Sequence, residues 1–188
     1  MYGNILHELL QEALRTREFD HVALKKMLEQ ILQRPQMQLD MWAAELGMEE
    51  VRLEVWEKAT AGLLGFGQRW IGPTPLDDST LHNSLSRLSI SGLHDIEESI
   101  WSPKWGMKGK VDASVHANLV PAKSSKSVYN TAREPVGDAT EDRPMPFEIK
   151  TGRAVGVMEH RAQTMLYTLL MEERYRKPFS LTSSNCQC

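Results

Sequence analysis

Cysteine is scarce in this chain of 188 residues: there are two, and both lie in the last three positions. Two thiols this close to one end cannot form a disulfide framework, and this usage favours a reducing compartment. Cys186 and Cys188 also supply at most two ligands, which is fewer than the four that a structural zinc site requires.

Long apolar runs are missing as well. No stretch approaches the roughly 20 apolar residues that span a bilayer, and the amino terminus lacks the basic segment and apolar core of a secretory signal. We therefore expect no membrane partner. No phosphate-binding loop of the Walker type is present, which excludes ATP-driven unwinding by this chain. The hydrophobic content of 41% and charged content of 25% are ordinary for a globular protein of one domain.

An excess of positive charge is the third absence. The formal net charge is −3, whereas the phosphate contacts of nucleic-acid-binding proteins normally come from a basic surface. The overall balance argues against tight DNA binding by this chain alone, although a metal bound at an acidic site can reverse the sign locally.

The first part of the chain has the spacing of helices. Apolar residues recur at helical intervals from Ile5 to Leu14, and again from Val22 to Leu32. Asp20 precedes the second run and is a typical helix cap, and Pro35 either ends that helix or begins another. A third run covers residues 48–70. Its apolar residues form one stripe that predicts a core face: Val51, Val55, Leu63, Phe66 and Trp70.

Strand character follows. Apolar and polar residues alternate from Arg87 to Ile100 and again from Met107 to Leu119. Residues 121–146, rich in proline and serine, predict a long flexible insertion. Residues 146–150 restore the strand, and a helical run from Met158 to Arg176 closes the pattern. Helices before a sheet and one after it predict a layered α/β or α+β domain.

Glu148-Ile149-Lys150 is the most informative stretch. Because alternate side chains of a strand share a face, Glu148 and Lys150 would project together while Ile149 points into the core. Asp112, three residues after Gly109, offers a second carboxylate. Two carboxylates can hold a hard cation such as Mg²⁺, and a lysine beside them can orient or deprotonate a water that attacks phosphorus. An acid-x-lysine triplet alone is more often a solvated surface feature.

Further features accompany the triplet. Gln163 and Tyr167 are four apart and therefore share one helix face, and His7 lies in the first helical run. The chain therefore contains, in this order, a helix histidine, G-x-x-D, E-x-K and Q-x-x-x-Y. In this ordered set it resembles the PD-(D/E)XK nucleases of the RecB-like branch. Other stretches are similar to the nuclease domain of the eukaryotic nuclease-helicases that trim Okazaki flaps and resect DNA ends. These are residues 94–103, 106–112, 159–161 and 167–170.

The resemblance implies a fold and its limits. We expect a restriction-endonuclease-like α/β core, with a central mixed sheet flanked by helices and a helical amino-terminal part. The nuclease domain would span residues 1–178, with 121–146 as a flexible insertion. Residues 179–188 are unlike the family and would form a divergent, disordered tail.

The resemblance also implies roles for single residues. Asp112 and Glu148 would be catalytic and would bind Mg²⁺ or Mn²⁺, together with His7 and the backbone carbonyl of Ile149. Lys150 would position the attacking water and offset the charge that develops on phosphate. A lone helix histidine is otherwise more often a surface residue than a ligand; as a ligand, imidazole would shift the preference toward Mn²⁺.

The implied DNA contacts lie on the last helix. Gln163, Tyr167 and Arg161 would meet DNA near the scissile phosphate, because guanidinium pairs well with phosphate oxygens. The alternatives are a polar face turned to solvent and a Tyr167 ring that packs beneath the sheet. Of Glu97 and Glu98, we expect one to lie near the site and the other to be solvated.

The implied function is that of a metal-dependent endonuclease core. It would cut single-stranded DNA or 5′ flaps in DNA replication and repair, as part of a nuclease-helicase. The expected compartments are the nucleus and the mitochondrion. A single-strand-binding protein would be a partner of the full-length enzyme.

The chain departs from the family at its iron–sulfur ligands. Family members hold a 4Fe–4S cluster with four cysteines, one before the histidine helix and three after the last helix. Here no cysteine precedes His7, and only Cys186 and Cys188 follow. We therefore expect a truncated product without the cluster and with weak activity. The alternative is an inactive fragment that serves as a DNA- or protein-binding module.

Overall fold

The computed structural model describes residues 1–81, 86–121, 143–150 and 158–175. The predicted tail and most of the predicted insertion lie outside these residues. Five helices and three strands are described, in the following order along the chain: α1 (Tyr2–Thr16), α2 (His21–Leu32), α3 (Pro35–Ala43), α4 (Met48–Trp70), β1 (Ser86–Ser102), β2 (Met107–Pro121), β3 (Arg143–Phe147) and α5 (Met158–Tyr175).

Helix α2 begins where the sequence predicts. Asp20 caps α2, because its Oδ1 atom accepts hydrogen bonds from the backbone N–H groups of Val22 at 2.9 Å and Ala23 at 3.0 Å. Pro35 lies in the first turn of α3, where its missing N–H removes no helical hydrogen bond. Pro35 therefore begins a new helix.

Helix α4 presents the predicted stripe to the core. Val51, Val55 and Phe66 are buried, and Leu63 and Trp70 pack against the same cluster while partly exposed. This cluster joins the amino-terminal helices to the sheet, since it also contains residues of all three strands or their ends. They are Ile90, Ala113, Val115, Phe147 and Ile149.

A chain of aromatic rings links the helices to β3. The Phe66 ring lies 5.7 Å from the Phe19 ring and 5.8 Å from the Phe147 ring, measured between centroids. Gly67 makes this approach possible, because a Cβ atom there would lie 2.1 Å from the Cβ of Phe19. A side chain at position 67 would therefore force the two backbones apart.

The described strands form one small antiparallel sheet in the order β1-β2-β3. The β1–β2 pairing runs from Ser86↔Pro121 to Ser102↔Met107, and β3 pairs with β2 through Ala113↔Phe147. Among the described residues, the one parallel pairing is an isolated bridge between Ile71 and Ile90. The structure is therefore α/β with a helical amino-terminal part, but the mixed sheet that was expected is not seen in the described strands.

The limits of β3 differ from the prediction. The strand covers residues 143–147, so residues 143–146 belong to it and not to the insertion. Pro144 and Pro146 made a strand here look unfavourable from the sequence. Proline is tolerated on a strand that pairs along one side, and β3 pairs with β2 alone among the described strands. Residues 148–150 follow the strand and do not continue it.

Helix α5 packs against the sheet through a second apolar cluster. Leu170 and Met171 of α5 are buried with Ile100 of β1 and Val111 of β2. The helix is thereby held against both long strands. No helix within the described ranges is long and apolar enough to cross a membrane.

The packing of Gly67 generates a prediction about stability. Gly67→Ala should lower the free energy of unfolding by about 1–3 kcal/mol, because the added methyl overpacks the contact with Phe19. Gly65→Ala is the matched control, since it lies in the same helix and its Cβ would meet nothing within 4 Å. It should raise stability by up to about 1 kcal/mol. Urea denaturation measures both, and equal effects would refute this account of the contact.

Candidate active site

Asp112 lies at the centre of the candidate site. It belongs to β2, the central strand of the three. Its Oδ2 atom accepts a hydrogen bond of 2.8 Å from the backbone N–H of Ile149 and lies 3.3 Å from Nε2 of His7. One carboxylate thus joins α1, β2 and the segment that follows β3.

Glu97 stands opposite Asp112 on β1, between the pairs Ile96↔Ala113 and Glu98↔Val111. Its backbone has a φ of 56°, a left-handed conformation that costs about 1 kcal/mol or more in a residue other than glycine. Its Oε1 atom lies 3.9 Å from Nδ1 of His7. His7, Glu97 and Asp112 each offer one ligand atom, and these atoms lie within 4.8 Å of one another.

Two residues that sequence reasoning gave no role hold Glu97 in place. The Nε2 of Gln11 donates to Glu97 Oε1 at 3.0 Å and to the backbone oxygen of Asp112 at 3.1 Å, and Lys110 forms an ion pair with Glu97. Gln11 lies four residues after His7 on α1. That spacing placed it on the same helix face and was the signal available in the sequence.

Glu148 and Lys150 meet although they lie beyond the strand. Glu148 Oε1 accepts from Lys150 Nζ at 2.6 Å and from Gln163 Nε2 at 2.7 Å. Gln163 Oε1 lies 3.3 Å from Lys150 Nζ, and Gln163 Nε2 lies 3.1 Å from the hydroxyl of Tyr167. Helix α5 therefore supplies two polar side chains that connect with the acid–lysine pair.

The second oxygen of Glu148 is buried and has no hydrogen-bond partner among the described residues. Burial raises the pKa of Glu148, against the opposing effect of Lys150, and the negative charge of Asp112 adds to the rise. A buried carboxylate oxygen without a partner is costly. A cation at this position would remove that cost, so the donors present fit a divalent metal.

His7, Glu97 and Asp112 also have shifted pKa values, because each lies next to charged or hydrogen-bonding groups. Burial alone would raise the pKa of Asp112, but hydrogen bonds from His7 and the Ile149 N–H outweigh it, so the pKa lies below its usual value. The hydrogen bond to Asp112 raises the pKa of His7. The Lys110 ammonium, followed by Gln11, lowers the pKa of Glu97. The site therefore holds ionised carboxylates around an imidazole that is easily protonated.

Gly109 brings Tyr167 onto the sheet. A Cβ atom at position 109 would lie 2.7 Å from the Cε1 atom of the Tyr167 ring and 3.4 Å from a methyl carbon of Leu170. The glycine of the G-x-x-D pattern thus has a packing role, since it lets α5 approach β2 closely enough for Gln163 to reach Glu148.

The structure places the predicted site residues, and their roles in metal binding, catalysis and DNA contact stay predictions. The backbone N–H of Ile149 contacts Asp112, whereas the prediction concerned its carbonyl as a metal ligand. Arg161 is exposed on α5, and its contact with DNA stays a prediction.

The expectation of one solvated residue at positions 97 and 98 was wrong. Glu98 is 3% exposed. Its carboxylate accepts from the hydroxyls of Ser114 and, at 2.5 Å, Tyr175, and it pairs with Nε of Arg174 at 3.1 Å. These partners balance a buried charge. They tie the last turn of α5 to the sheet.

Comparison with known proteins identifies relatives of the chain. Residues 1–117 match the family model described as "DNA replication factor Dna2". The "DNA replication ATP-dependent helicase/nuclease DNA2" of Bos taurus is 31% identical over an alignment of length 193, which covers 95% of this chain and 16% of the relative. The Homo sapiens protein of the same description is 30% identical over 188 residues, with the same coverage.

The fission-yeast relative is similar to the same extent. The "DNA replication ATP-dependent helicase/nuclease dna2" of Schizosaccharomyces pombe is 33% identical over 177 residues, which cover 92% of this chain and 11% of the relative. The chain thus spans about one sixth or less of the length of these relatives. The matched residues 1–117 include His7, Glu97 and Asp112.

The contact between Gly109 and Tyr167 can be tested by a double-mutant cycle. Gly109→Ala should lower the free energy of unfolding by about 1–3 kcal/mol, because the methyl overlaps the tyrosine ring. In a Tyr167→Ala background the same change should cost much less, since the overlapping ring is gone. Urea denaturation of the four proteins gives the coupling; an equal cost in both backgrounds would contradict the contact.

The pairing of His7 predicts a pH dependence. Because the pKa of His7 is raised above 6.5 in the folded chain, its pairing stabilises the fold fully below the unfolded value of about 6.5. That contribution is lost as pH rises through the folded pKa. In the presence of a chelator, the stability difference between parent and His7→Gln should shrink over this range. Proton NMR of the imidazole should show titration above the ordinary value, and titration at or below it would count against the pairing.

Proposed function

Because this chain belongs to the family of the DNA replication factor Dna2, we propose that it forms the core of a metal-dependent nuclease acting on single-stranded DNA. The observation that carries the proposal is the meeting of His7, Asp112 and Glu97 beside Glu148, whose second carboxylate oxygen is buried with no hydrogen-bond partner among the described residues. A lysine bonded to the same Glu148 completes an arrangement suited to phosphodiester hydrolysis.

The proposed domain has a PD-(D/E)XK fold over residues 1–178. Its insertion is residues 121–146, except that residue 121 belongs to β2 and residues 143–146 belong to β3. Three features support it. One carboxylate lies on the central strand, the second directly follows the neighbouring strand, and a helix carrying Gln163 and Tyr167 packs on the sheet. Residues 179–188 would lie outside this domain.

Asp112, Glu148 and His7 would hold Mg²⁺ or Mn²⁺, with the Ile149 carbonyl as a further oxygen ligand. Glu97 is close enough to His7 and Asp112 to join them. When bound, the cation would supply the positive charge that attracts the scissile phosphate and promotes attack by water. The donor set of carboxylate oxygens with one imidazole accepts either ion.

The side chains around Glu148 would act on the attacking water and on the phosphate. Lys150 is held by Glu148 and Gln163, so its ammonium is oriented before substrate arrives. From there it would orient the water and offset the charge that grows on the phosphate oxygens. Tyr167, bonded to Gln163, would contact the nucleotide beside the scissile phosphate, and Arg161 a neighbouring phosphate.

A 4Fe–4S cluster does not fit these 188 residues. Such a cluster needs four thiolates, and the sequence has two cysteines, both outside the described residues. No step of the proposed chemistry passes through it.

The relatives are described as helicase/nucleases of DNA replication. We extend this role to the present chain: it would cut single strands or 5′ flaps in replication and repair, as the nuclease part of a nuclease-helicase. The nucleus, with the mitochondrion as a second compartment, is the proposed location. A single-strand-binding protein is the proposed partner.

A second candidate function is a DNA- or protein-binding module without cleavage. The net charge of −3 opposes tight DNA binding by the chain alone. Weak DNA binding would limit turnover, which is why a function without cleavage is considered. The cleavage experiment below separates the two functions.

Cleavage should depend on the two carboxylates and on the lysine. With protein in excess over labelled single-stranded DNA, and with Mg²⁺ or Mn²⁺, we expect slow but measurable cutting. Asp112→Asn and Glu148→Gln should abolish it. Lys150→Ala should retain DNA binding and lower the rate about 10²- to 10³-fold, as the loss of a transition-state stabiliser does.

Asp78→Asn is the matched control, because Asp78 is an exposed acid outside the site. It should cut at the parental rate. Cleavage that persists in Asp112→Asn or Glu148→Gln would overturn the assignment, and DNA binding without cutting by the parent would favour the binding module.

Metal affinity should rise with pH. A histidine must be neutral to bind a metal, and the hydrogen bond between His7 and Asp112 raises the pKa of His7. Mn²⁺ affinity should therefore increase until the pH passes that pKa and then level off, with release of a proton below it. Calorimetry in buffers of different ionisation enthalpy measures this release. The part of the dependence that lies near the His7 pKa should disappear in His7→Gln; an unchanged dependence in that range would exclude His7 as a ligand.

A further inference from the structure

The β1–β2 hairpin carries exposed aromatic and basic side chains that the proposed chemistry does not use. Trp101 is 73% exposed and Trp105 is 47% exposed. The Nζ of Lys104 lies 4.8 Å from the centre of the Trp105 ring, and Lys108 is exposed on β2. We call Trp101, Lys104, Trp105, Lys108 and Lys110 the hairpin surface.

The strand register places part of this surface on the same face as the site. Trp101 pairs with Lys108, and Ser99 pairs with Lys110. Two positions further along each strand are Glu97 and Asp112, which share that face because side chains alternate. The ion pair between Lys110 and Glu97 shows this directly.

The alternate residues face the other way and are covered. Ile100 and Val111 are buried in the cluster formed with α5, and Ser102 is buried as well. Exposure of Trp101 and Lys108 is therefore a property of one face of the hairpin and not of the whole ribbon. The exposed face runs from Asp112 to Lys108 over about 13 Å, at roughly 3.3 Å per residue.

The local charge differs in sign from that of the whole chain. Residues 99–111 contain three lysines and no acid, although the net charge of the chain is −3. Basic groups that contact phosphates and aromatic rings that stack on bases are the two components of single-strand binding surfaces. Both occur here, beside carboxylates suited to a metal.

We propose that the hairpin surface binds single-stranded DNA and directs it to the site at Asp112. An exposed indole can stack on a base only where that base is unpaired, so the surface favours single strands over duplex. Lys108 lies directly across from Trp101, and Lys110 lies between this pair and the carboxylates. The two lysines contact successive phosphates. This assignment rests on the proposed function and extends it by a substrate-binding surface.

Trp42 provides a matched control within the same chain. It is 81% exposed on α3, but the charged residues nearest to it in sequence, Asp40 and Glu45, are acidic. A general effect of removing an exposed tryptophan would appear equally at Trp42 and Trp101. An effect of DNA stacking would appear at Trp101 alone.

The test is equilibrium binding of a labelled oligothymidylate to the full chain in EDTA, where cleavage cannot occur. Trp101→Ala should raise Kd about 5- to 100-fold, as loss of one stacked base does, and Trp101→Phe should restore most of the affinity. Lys108→Ala should weaken binding and reduce the slope of log K against log salt by about 0.7. Trp42→Ala should bind like the parent. Circular dichroism checks that each variant is folded.

Parental affinity in Trp101→Ala, an equal loss in Trp42→Ala, tighter binding of duplex than of single strand, or no binding by the parent would each overturn the proposal. The proposed function is tested separately by hydrolysis of bis(4-nitrophenyl) phosphate by the parent chain with Mn²⁺. This small diester requires the carboxylates but no extended strand. Hydrolysis with a failed binding test would reject the hairpin surface alone, and binding without hydrolysis would reject the proposed chemistry alone.

Discussion

The carboxylate of Asp112 is the interaction on which the rest of the site depends. It accepts a hydrogen bond from the backbone of Ile149 and lies beside His7, so it joins three segments that are far apart in sequence. Burial would disfavour its charge, but these two donors reverse the balance and keep it ionised. Because Ile149 lies between Glu148 and Lys150, holding its N–H also fixes where that acid and that lysine project.

Helix α5 gives this arrangement its rigidity. The absence of a side chain at Gly109 lets the Tyr167 ring lie on β2, and the buried Glu98 holds the last turn through Arg174 and Tyr175. Two contacts separated along one helix restrict both its rotation and its distance from the sheet. Gln163 can therefore reach Glu148 and Lys150 in one geometry, which is the kind of support that a catalytic group requires.

Sequence reasoning succeeded where the determinants are local. The cap at Asp20 and the apolar stripe of α4 follow from spacing and residue type. Pro35 begins α3, which is one of the two alternatives that the sequence left open. It failed where a partner distant in sequence decides. Glu98 has the sequence context of a surface acid, and only the fold brings Arg174 next to it. Pro144 and Pro146 argued against a strand, yet β3 forms because it pairs with β2 along one side. The left-handed backbone at Glu97 also has no signal in residue type, since glycine is the usual residue there.

The central claim is that one divalent cation lies between Asp112 and Glu148. An anomalous difference map from crystals soaked in Mn²⁺ tests it most directly, because it locates the metal without reference to activity. The account predicts a peak in contact with a carboxylate oxygen of Asp112 and with the second oxygen of Glu148, which is buried without a partner in the described structure. A peak that contacts neither residue, or no peak at a Mn²⁺ concentration that supports cleavage, would contradict it.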